Sequence, residues 1–361
     1  MRRFGLVSLL TRTNALALAP TLAMTLVFPA RAHAQISALV PMQEFTVPWG
    51  REGRPRDAAV SPVDGAIFFV GQEGQVPTGN YVARLDPKTG AFKQYALDPG
   101  TNPHSCLVDA KGNVWYTGNR NGTLGRIDPK SGEITRFKLP DSTVKDPHTM
   151  VFDANGNVWF TAQQSNAIGF LDVATGKFRL VKPTVPSGLR RGTLPYGIVL
   201  DSKGRPWFNL FATNMIGTID PVTFELKTYP LASDSTLNRR IAITSDDKIY
   251  YTDYRRGRLG RLDPATGKVD DWALPGGGAS LPYGMIIDDQ NRVWVAETGS
   301  QPNKLVGFDP KTSRFFSNTV IPGERNTVRH MFFDKKTKQI WWGMDSGAIL
   351  KVDISGIKVA M

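Results

Sequence analysis

From about residue 44 onward the chain alternates short apolar runs with polar turns, and the same alternation keeps returning. In "PHTMVFDANGNVWFTAQQSNAIGFLDVATGKFRLVKP", which starts at Pro147, an apolar run is closed by Asn155-Gly156 and followed by "VWFT". A polar loop, an "IGFLD" run, a turn at Thr175-Gly176 and a run alternating apolar with charged residues complete the unit. Short runs bounded by Gly, Asn and Asp turns predict four antiparallel strands joined by hairpins. The unit returns from Pro103, Pro195, Arg239 and Pro282, with a degenerate copy from Pro55 and a last one from Arg329, so seven copies are visible.

Four strands per repeat at a period of about 45 residues is the pattern of a β-propeller blade. Apolar residues on both faces of the runs suit sheets stacked between neighbouring sheets. The expected fold is therefore all-β, a seven-bladed β-propeller of four-stranded antiparallel blades. The last copy lacks a fourth strand, and "QEFTVP" from Gln43 to Pro48 matches the outer-strand pattern of "TRFKLP" from Thr135 to Pro140. An N-terminal strand completing the seventh blade would close the ring and leave no free sheet edge at the seam.

Residues 1–34 read differently: Arg2 and Arg3, a mostly apolar stretch, and "AHA" ending at Ala34 predict a cleaved signal peptide, with residues 35–361 as one propeller domain. Arg12, Asn14 and Pro20 interrupt the stretch, so no run reaches the roughly 18 apolar residues a membrane span needs. The expected product is periplasmic or secreted, monomeric and without a membrane span; the paired arginines suit Sec or twin-arginine export. Four of the chain's +12 charges lie in this segment, leaving +8 spread without a basic stripe, which argues against nucleic acid as a partner. Cys106 is the only cysteine, so no disulfide within the chain exists and the core must supply the stability.

Aligning the copies on the aromatic strand places Arg56, His104, His148, Tyr196, Arg240, Tyr283 and His330 at one repeat position, about eleven residues before the Trp115 type of position, the Arg240 copy needing a one-residue gap. Every histidine after His33 is in this set. The first strand of a blade lines the central channel, so these residues form a ring at one mouth, where a packing role alone would favour apolar or small side chains. Arg56, His104, His148 and Tyr196 are candidate ligand-binding groups for a small-molecule or peptide-like substrate. The plainer alternative is that the ring side chains only bond the loop backbones around them.

Acids gather on the last three blades, three or four residues past the aromatic position: Asp253, Glu297 and Asp345, against Gly118, Ala162 and Leu210 earlier. They could hold a divalent cation through oxygen ligands or tune His330 as a general base. Pairing of Asp253 and Glu297 with Arg240, Arg255 or Arg256 is the competing reading. No paired cysteines, HExxH, phosphate loop or Gly-x-Ser-x-Gly elbow is present.

The blades, with "PYGI", "PYGM" and "VWFTAQQSNAIGFLD", resemble those of the virginiamycin B (streptogramin B) lyase family over roughly residues 44–354. That family consists of seven-bladed propellers that open a cyclic depsipeptide antibiotic by elimination at its ester, with magnesium. The resemblance implies His330 as the base and Asp345 as a metal ligand, and it makes antibiotic resistance the family's role. Tyr283 stands where the family has a substrate-contacting histidine, and Val328 where it has a second metal-binding glutamate; Glu324 or Glu297 are the substitutes at hand. The expectation is a carbon–oxygen lyase with His330, Tyr283 and Arg240 catalytic and Asp345, Glu297 and Asp253 around Mg2+. Two other readings stand beside it: a non-catalytic ligand- or protein-binding propeller, and a metal-dependent lactonase similar to the six-bladed gluconolactonases.

Overall fold

The computed structural model describes residues 38–50, 53–72, 79–323 and 327–359. The expected signal peptide and Glu324 lie outside these residues. Seven four-stranded antiparallel sheets follow one another in chain order. In blade 3 the strands are Pro147–Phe152, Val158–Ala162, Ala167–Asp172 and Lys177–Val181, from the channel outward. Blade 7 is built from Phe332–Asp334, Gln339–Met344 and Ala348–Asp353, and Met42–Thr46 pairs antiparallel with the last of these to complete it. The closing strand is thus in the place expected, and seven blades rather than six set the chain apart from the gluconolactonase type of propeller.

The repeated residues have physical reasons. Successive residues of the second strand face opposite neighbours. Trp159 packs with Phe208 and Leu210 of blade 4, while Val158 and Phe160 pack with Trp115 and Leu124 of blade 2. The same division builds each of the seven interfaces around the ring, with its own apolar cluster. Burial of apolar surface at these interfaces, six tryptophans included, at about 25 cal/mol per Å², is the main stabilising term.

The glycine of "IG" is a close approach. Gly169 lies opposite Phe160 in the ladder, and a Cβ there would come within 2.1 Å of the Phe160 ring. Gly125, Gly217 and Gly260 receive Tyr116, Phe208 and Tyr251 in the same way. The aspartate of the first turn holds the tryptophan six residues later: Asp109, Asp201 and Asp288 accept from the indole N–H of Trp115, Trp207 and Trp294 at 3.1, 2.9 and 2.9 Å. Among the described residues no helix is long and apolar enough to cross a membrane.

Candidate functional site

Six of the seven channel-lining strands, those of blades 1 to 6, break register near their start. In blade 2, Pro103 pairs with Gly118 and Cys106 with Tyr116, so His104 and Ser105 share a bulge. A bulge frees backbone groups and turns its side chains out of the sheet, and the second strand supplies the missing partner. Thr117 Oγ1 accepts from the Ser105 N–H (2.9 Å) and donates to the His148 carbonyl of blade 3 (3.0 Å). Thr161 repeats this with the Thr149 N–H (3.3 Å) and the Tyr196 carbonyl (2.6 Å). One threonine therefore fixes the bulge and ties it to the next blade.

Hairpin pairing corrects the sequence alignment at two places. In blade 5 Ile241 pairs with Tyr251, as Cys106 does with Tyr116, so Arg239 is the counterpart of His104 and no gap is needed. In blade 7 Phe332 pairs with Trp341, a hairpin one residue longer than that joining Leu107 to Trp115, which moves Arg329 into the ring position. Arg240 and His330 lie one residue further along their strands. The channel thus carries two layers: Arg56, His104, His148, Tyr196, Arg239, Tyr283 and Arg329 in one, and Asp57, Ser105, Thr149, Gly197, Arg240, Gly284 and His330 in the next.

The outer layer is packed ring to ring. His104 and His148 have centroids 3.7 Å apart, and His148 and Tyr196 4.3 Å. The Tyr196 and Tyr283 hydroxyls are hydrogen-bonded to each other. The Arg239 guanidinium lies 3.7 Å from the Tyr283 ring centroid and 4.3 Å from that of Tyr254, a cation–π arrangement. Burial resists ionisation of Tyr283, but Arg239 and Arg240, together with the bond to Tyr196, outweigh it and lower its pKa; Tyr196, buried and beside Tyr283, is pushed up to about 12. Burial and the neighbouring Arg329 bring Arg56 down to about 10.

Arg240 crosses the inner layer. Its Nε donates to the Arg329 carbonyl at 2.7 Å on blade 7, and its Nη1 donates to Thr149 Oγ1 at 3.2 Å on blade 3. His148 Nδ1 shares that hydroxyl at 3.0 Å. Burial, then the surrounding cations, holds His104 and His148 well below 6.5. His330 is half-buried beside Arg240; desolvation lowers its pKa and Asp57 opposes this. Arg240, His330 and Thr149 line a cavity of about 160 Å³ whose remaining wall is the channel edge of blades 4 to 6, Gly197–Val199, Ile241–Ile243 and Met285–Ile287.

The three carboxylates expected around a cation are occupied separately. Asp253 accepts from the Leu237 and Arg256 N–H groups at 3.2 and 3.1 Å and pairs with the Arg256 side chain at 3.3 Å. Glu297 Oε1 accepts from the Gly276 N–H at 2.8 Å. Asp345 pairs with Arg329 at 2.6 Å. Val328 is buried in the apolar cluster between blades 6 and 7. Among the described residues no three His, Cys, Asp or Glu side chains come together to hold a metal. This donor set does not fit magnesium.

Sequence reasoning missed Asp57, Arg239, Arg329 and Thr149. A signal was there: blades 5, 7 and 1 carry charged or titratable residues at both channel positions, Arg239-Arg240, Arg329-His330 and Arg56-Asp57, where blades 4 and 6 carry Tyr-Gly.

The sequence model of the Virginiamycin B lyase family matches residues 30–189. That span reaches through blade 3 and stops before Tyr196, Arg240, Tyr283 and His330. Among curated proteins none matches significantly. Among solved structures, a streptogramin B lyase is 22% identical, with a TM-score of 0.75 over 87% of this chain and 97% of that one. A catalytically inactive Staphylococcus aureus virginiamycin B lyase with quinupristin is 22% identical, with a TM-score of 0.76 over 87% and 99%. The extracellular domain of a putative one-component system from B. thetaiotaomicron is 16% identical, with a TM-score of 0.64 over 89% of this chain and 43% of that one. The resemblance to the virginiamycin B lyase family is thus shown in blade sequence over the first three blades and in fold around the whole ring.

Proposed function

We propose that this chain, built on the blades of the virginiamycin B lyase family, is an exported enzyme that opens an ester or lactone bond of a peptide-like compound by elimination within the channel. The observation that carries the reading is His330: a half-buried imidazole, neutral at pH 7 because burial lowers its pKa, lining a cavity together with the guanidinium of Arg240.

Elimination needs a base for the proton on the carbon next to a carbonyl, and a positive group for the oxygen that gathers the charge. His330, whose Nδ1 has no hydrogen-bond partner, takes the proton. The electron pair moves onto the carbonyl oxygen, which Arg240 stabilises through its unpartnered Nη2. The pair then returns to form a carbon–carbon double bond as the ester C–O bond breaks, and the carboxylate leaves with the bonding electrons. A positioned base is worth about 10²–10⁴ in rate, and one preorganised donor about 10²–10³. No step runs through a metal, because the donor set does not fit one.

The cavity of about 160 Å³ is smaller than the roughly 300–1,000 Å³ of sites that enclose drug-sized ligands. The reading therefore favours a small ester, or an ester on a projecting arm, over a whole macrocycle. Export rests on residues 1–34, and N-terminal sequencing of the secreted protein tests it.

The decisive experiment is mass spectrometry of a streptogramin B depsipeptide and of small amino-acid and hydroxy-acid esters incubated with the protein. A product of unchanged mass and altered retention, lost in His330→Gln, is expected. Gain of one water would mean hydrolysis, and turnover intact in His330→Gln would remove the base. A second reading, a ligand-binding propeller without turnover, is favoured by the close packing of the outer ring, where His104, His148, Tyr196 and Tyr283 are 3–5% exposed; binding with no product would establish it.

A further inference from the structure

The strand Pro55–Val60 carries Arg56 near the channel mouth and ends at Val60, where a cavity of about 800 Å³ lies in the cleft between blades 7 and 1. That volume is within the roughly 300–1,000 Å³ of sites that hold small ligands. One difference between repeats opens the cleft. In blade 3 the channel-lining strand ends in Phe152, whose ring meets Trp115 of blade 2 edge-on at 5.9 Å between centroids. Phe137 stacks on the same indole at 5.4 Å, and Arg126 lies 5.6 Å from it. Around Trp341 of blade 7, Phe45 takes the place of Phe137 and Lys351, the ladder partner, that of Arg126. The place of Phe152 falls to Val60, which pairs with Ile67 as Phe152 does with Val158. Val60 and Trp341 both line the cavity that the missing ring leaves.

The charges around this cleft are one-sided. Each of its acids is engaged locally: Asp64 accepts from the Ala66 N–H at 3.2 Å and from Arg84 at 3.0 Å. Asp86 accepts from the Lys88 N–H at 2.9 Å, and Asp334 from the Lys336 N–H at 3.0 Å and the Thr337 hydroxyl at 2.6 Å. Lys88, Lys335, Lys336 and Lys351 line the same cavity, and their ammoniums form no ion pair among the described residues. Apolar surface accompanies them, with Phe332 and Phe333 half-buried on blade 7 and Val63 61% exposed on the blade 1 turn. A second cavity of about 230 Å³ shares Ser61, Val63, Asp64 and Arg84 with the first and continues to blade 2, where Lys111 and Lys130 line it.

We propose that this cleft binds an acidic peptide segment of a partner protein, its carboxylates held by the four lysines and an apolar side chain seated against Val60, Val63 and Phe332. Two adjoining cavities on either side of the turn at residues 61–65 suit an extended chain better than a compact anion. Lysines are mobile point charges that suit carboxylates spaced along a chain, whereas planar two-point recognition of one acid falls to arginine, and Arg84, the arginine of this cleft, is taken by Asp64. A bare polyanion would leave the apolar surface unused. The cleft shares no lining residue with the channel cavity, so this binding stands apart from the elimination proposed above.

The test is isothermal titration of the protein with the blocked peptide acetyl-Glu-Glu-Phe-Glu-Glu-amide, with the same peptide carrying Gln for Glu or Ala for Phe, and with heparin. The acidic peptide should bind, and both altered peptides should bind about tenfold or more weakly. Lys335→Glu with Lys336→Glu should weaken binding by a similar factor. Lys177→Glu with Lys203→Glu, the same change in net charge at exposed lysines of blades 3 and 4, should leave it unchanged. Val60→Phe, which supplies the ring found at Phe152, should fill the cleft and weaken binding with no change in charge; circular dichroism checks its fold, and the exposed lysine pair carries the test if it does not fold. Failure of the acidic peptide to bind would overturn the proposal. Equal weakening by the control pair would overturn it by making binding a property of overall charge. Heparin displacing the peptide, with Phe→Ala in the peptide and Val60→Phe both without effect, would assign the surface to a polyanion and overturn it as well.

Discussion

Arg329 Nη1 lies 2.6 Å from Asp345 Oδ1, and this ion pair joins the ring position of blade 7 to the carboxylate that the family resemblance assigns to a metal. The guanidinium neutralises that carboxylate, and the neighbouring Val328 is buried in the apolar cluster between blades 6 and 7. Positive charge at this end of the channel is therefore covalent and permanent.

The separate partners of Asp253, Glu297 and Asp345 make a direct prediction. Neither magnesium nor a chelator should move the melting temperature or the turnover, and a magnesium-dependent rise in Tm would restore the metal reading. Asp345→Asn should cost no more than about 1 kcal/mol, because both side chains of the pair are partly exposed, 18% and 22%. Chemical denaturation measures it.

Acid should destabilise the fold in a defined window. The folded pKa values of His104, His148 and His330 all lie below 6.5, mainly through burial. As pH falls through 6.5 the unfolded chain takes up protons that the folded chain refuses, so stability is full above that value and declines below it. Each fully buried histidine contributes a slope of up to about 1.4 kcal/mol per pH unit. Urea midpoints between neutral and mildly acidic pH should show the decline, and His104→Gln should flatten it; an unchanged slope in that variant would refute the assignment.

The threonine staple is testable at Thr161. Thr161→Val keeps the shape and removes both the acceptor for the Thr149 N–H and the donor to the Tyr196 carbonyl. The expected loss is about 1–3 kcal/mol, the cost of leaving buried groups unsatisfied. A guanidinium chloride midpoint equal to that of the parent would show that the bulge holds itself.

Ring closure rests on Met42–Thr46, where Phe45 stacks on Trp341 at 5.9 Å between centroids. Phe45→Ala should cost about 2 kcal/mol, since the ring is half-buried. A chain beginning after Val47 leaves the Ala348–Asp353 strand as an open edge and should aggregate at concentrations where the parent stays dispersed. Light scattering distinguishes the two.

The sequence by itself determined the blades, their number, their strand order and the closing strand. Those features come from local signals: Gly, Asn and Asp turns, short apolar runs between them, and an aromatic strand returning at a fixed period. It also showed that most channel-lining positions are polar, and it named seven of the fourteen residues of the two layers. The tertiary structure alone decided which residues share a layer, because the hairpin of blade 7 is one residue longer than that of blade 2 and a shift of one residue changes which way a side chain points. It alone decided the fate of the acids as well. Asp253, Glu297 and Asp345 hold similar places in their repeats; Asp253 takes Arg256, a partner three residues on that the sequence already offered, but Glu297 and Asp345 meet the Gly276 N–H and Arg329, encounters that no repeat spacing encodes. The unpartnered Asp57 belongs to the same class: its position is written in one blade, and its isolation is a property of all seven.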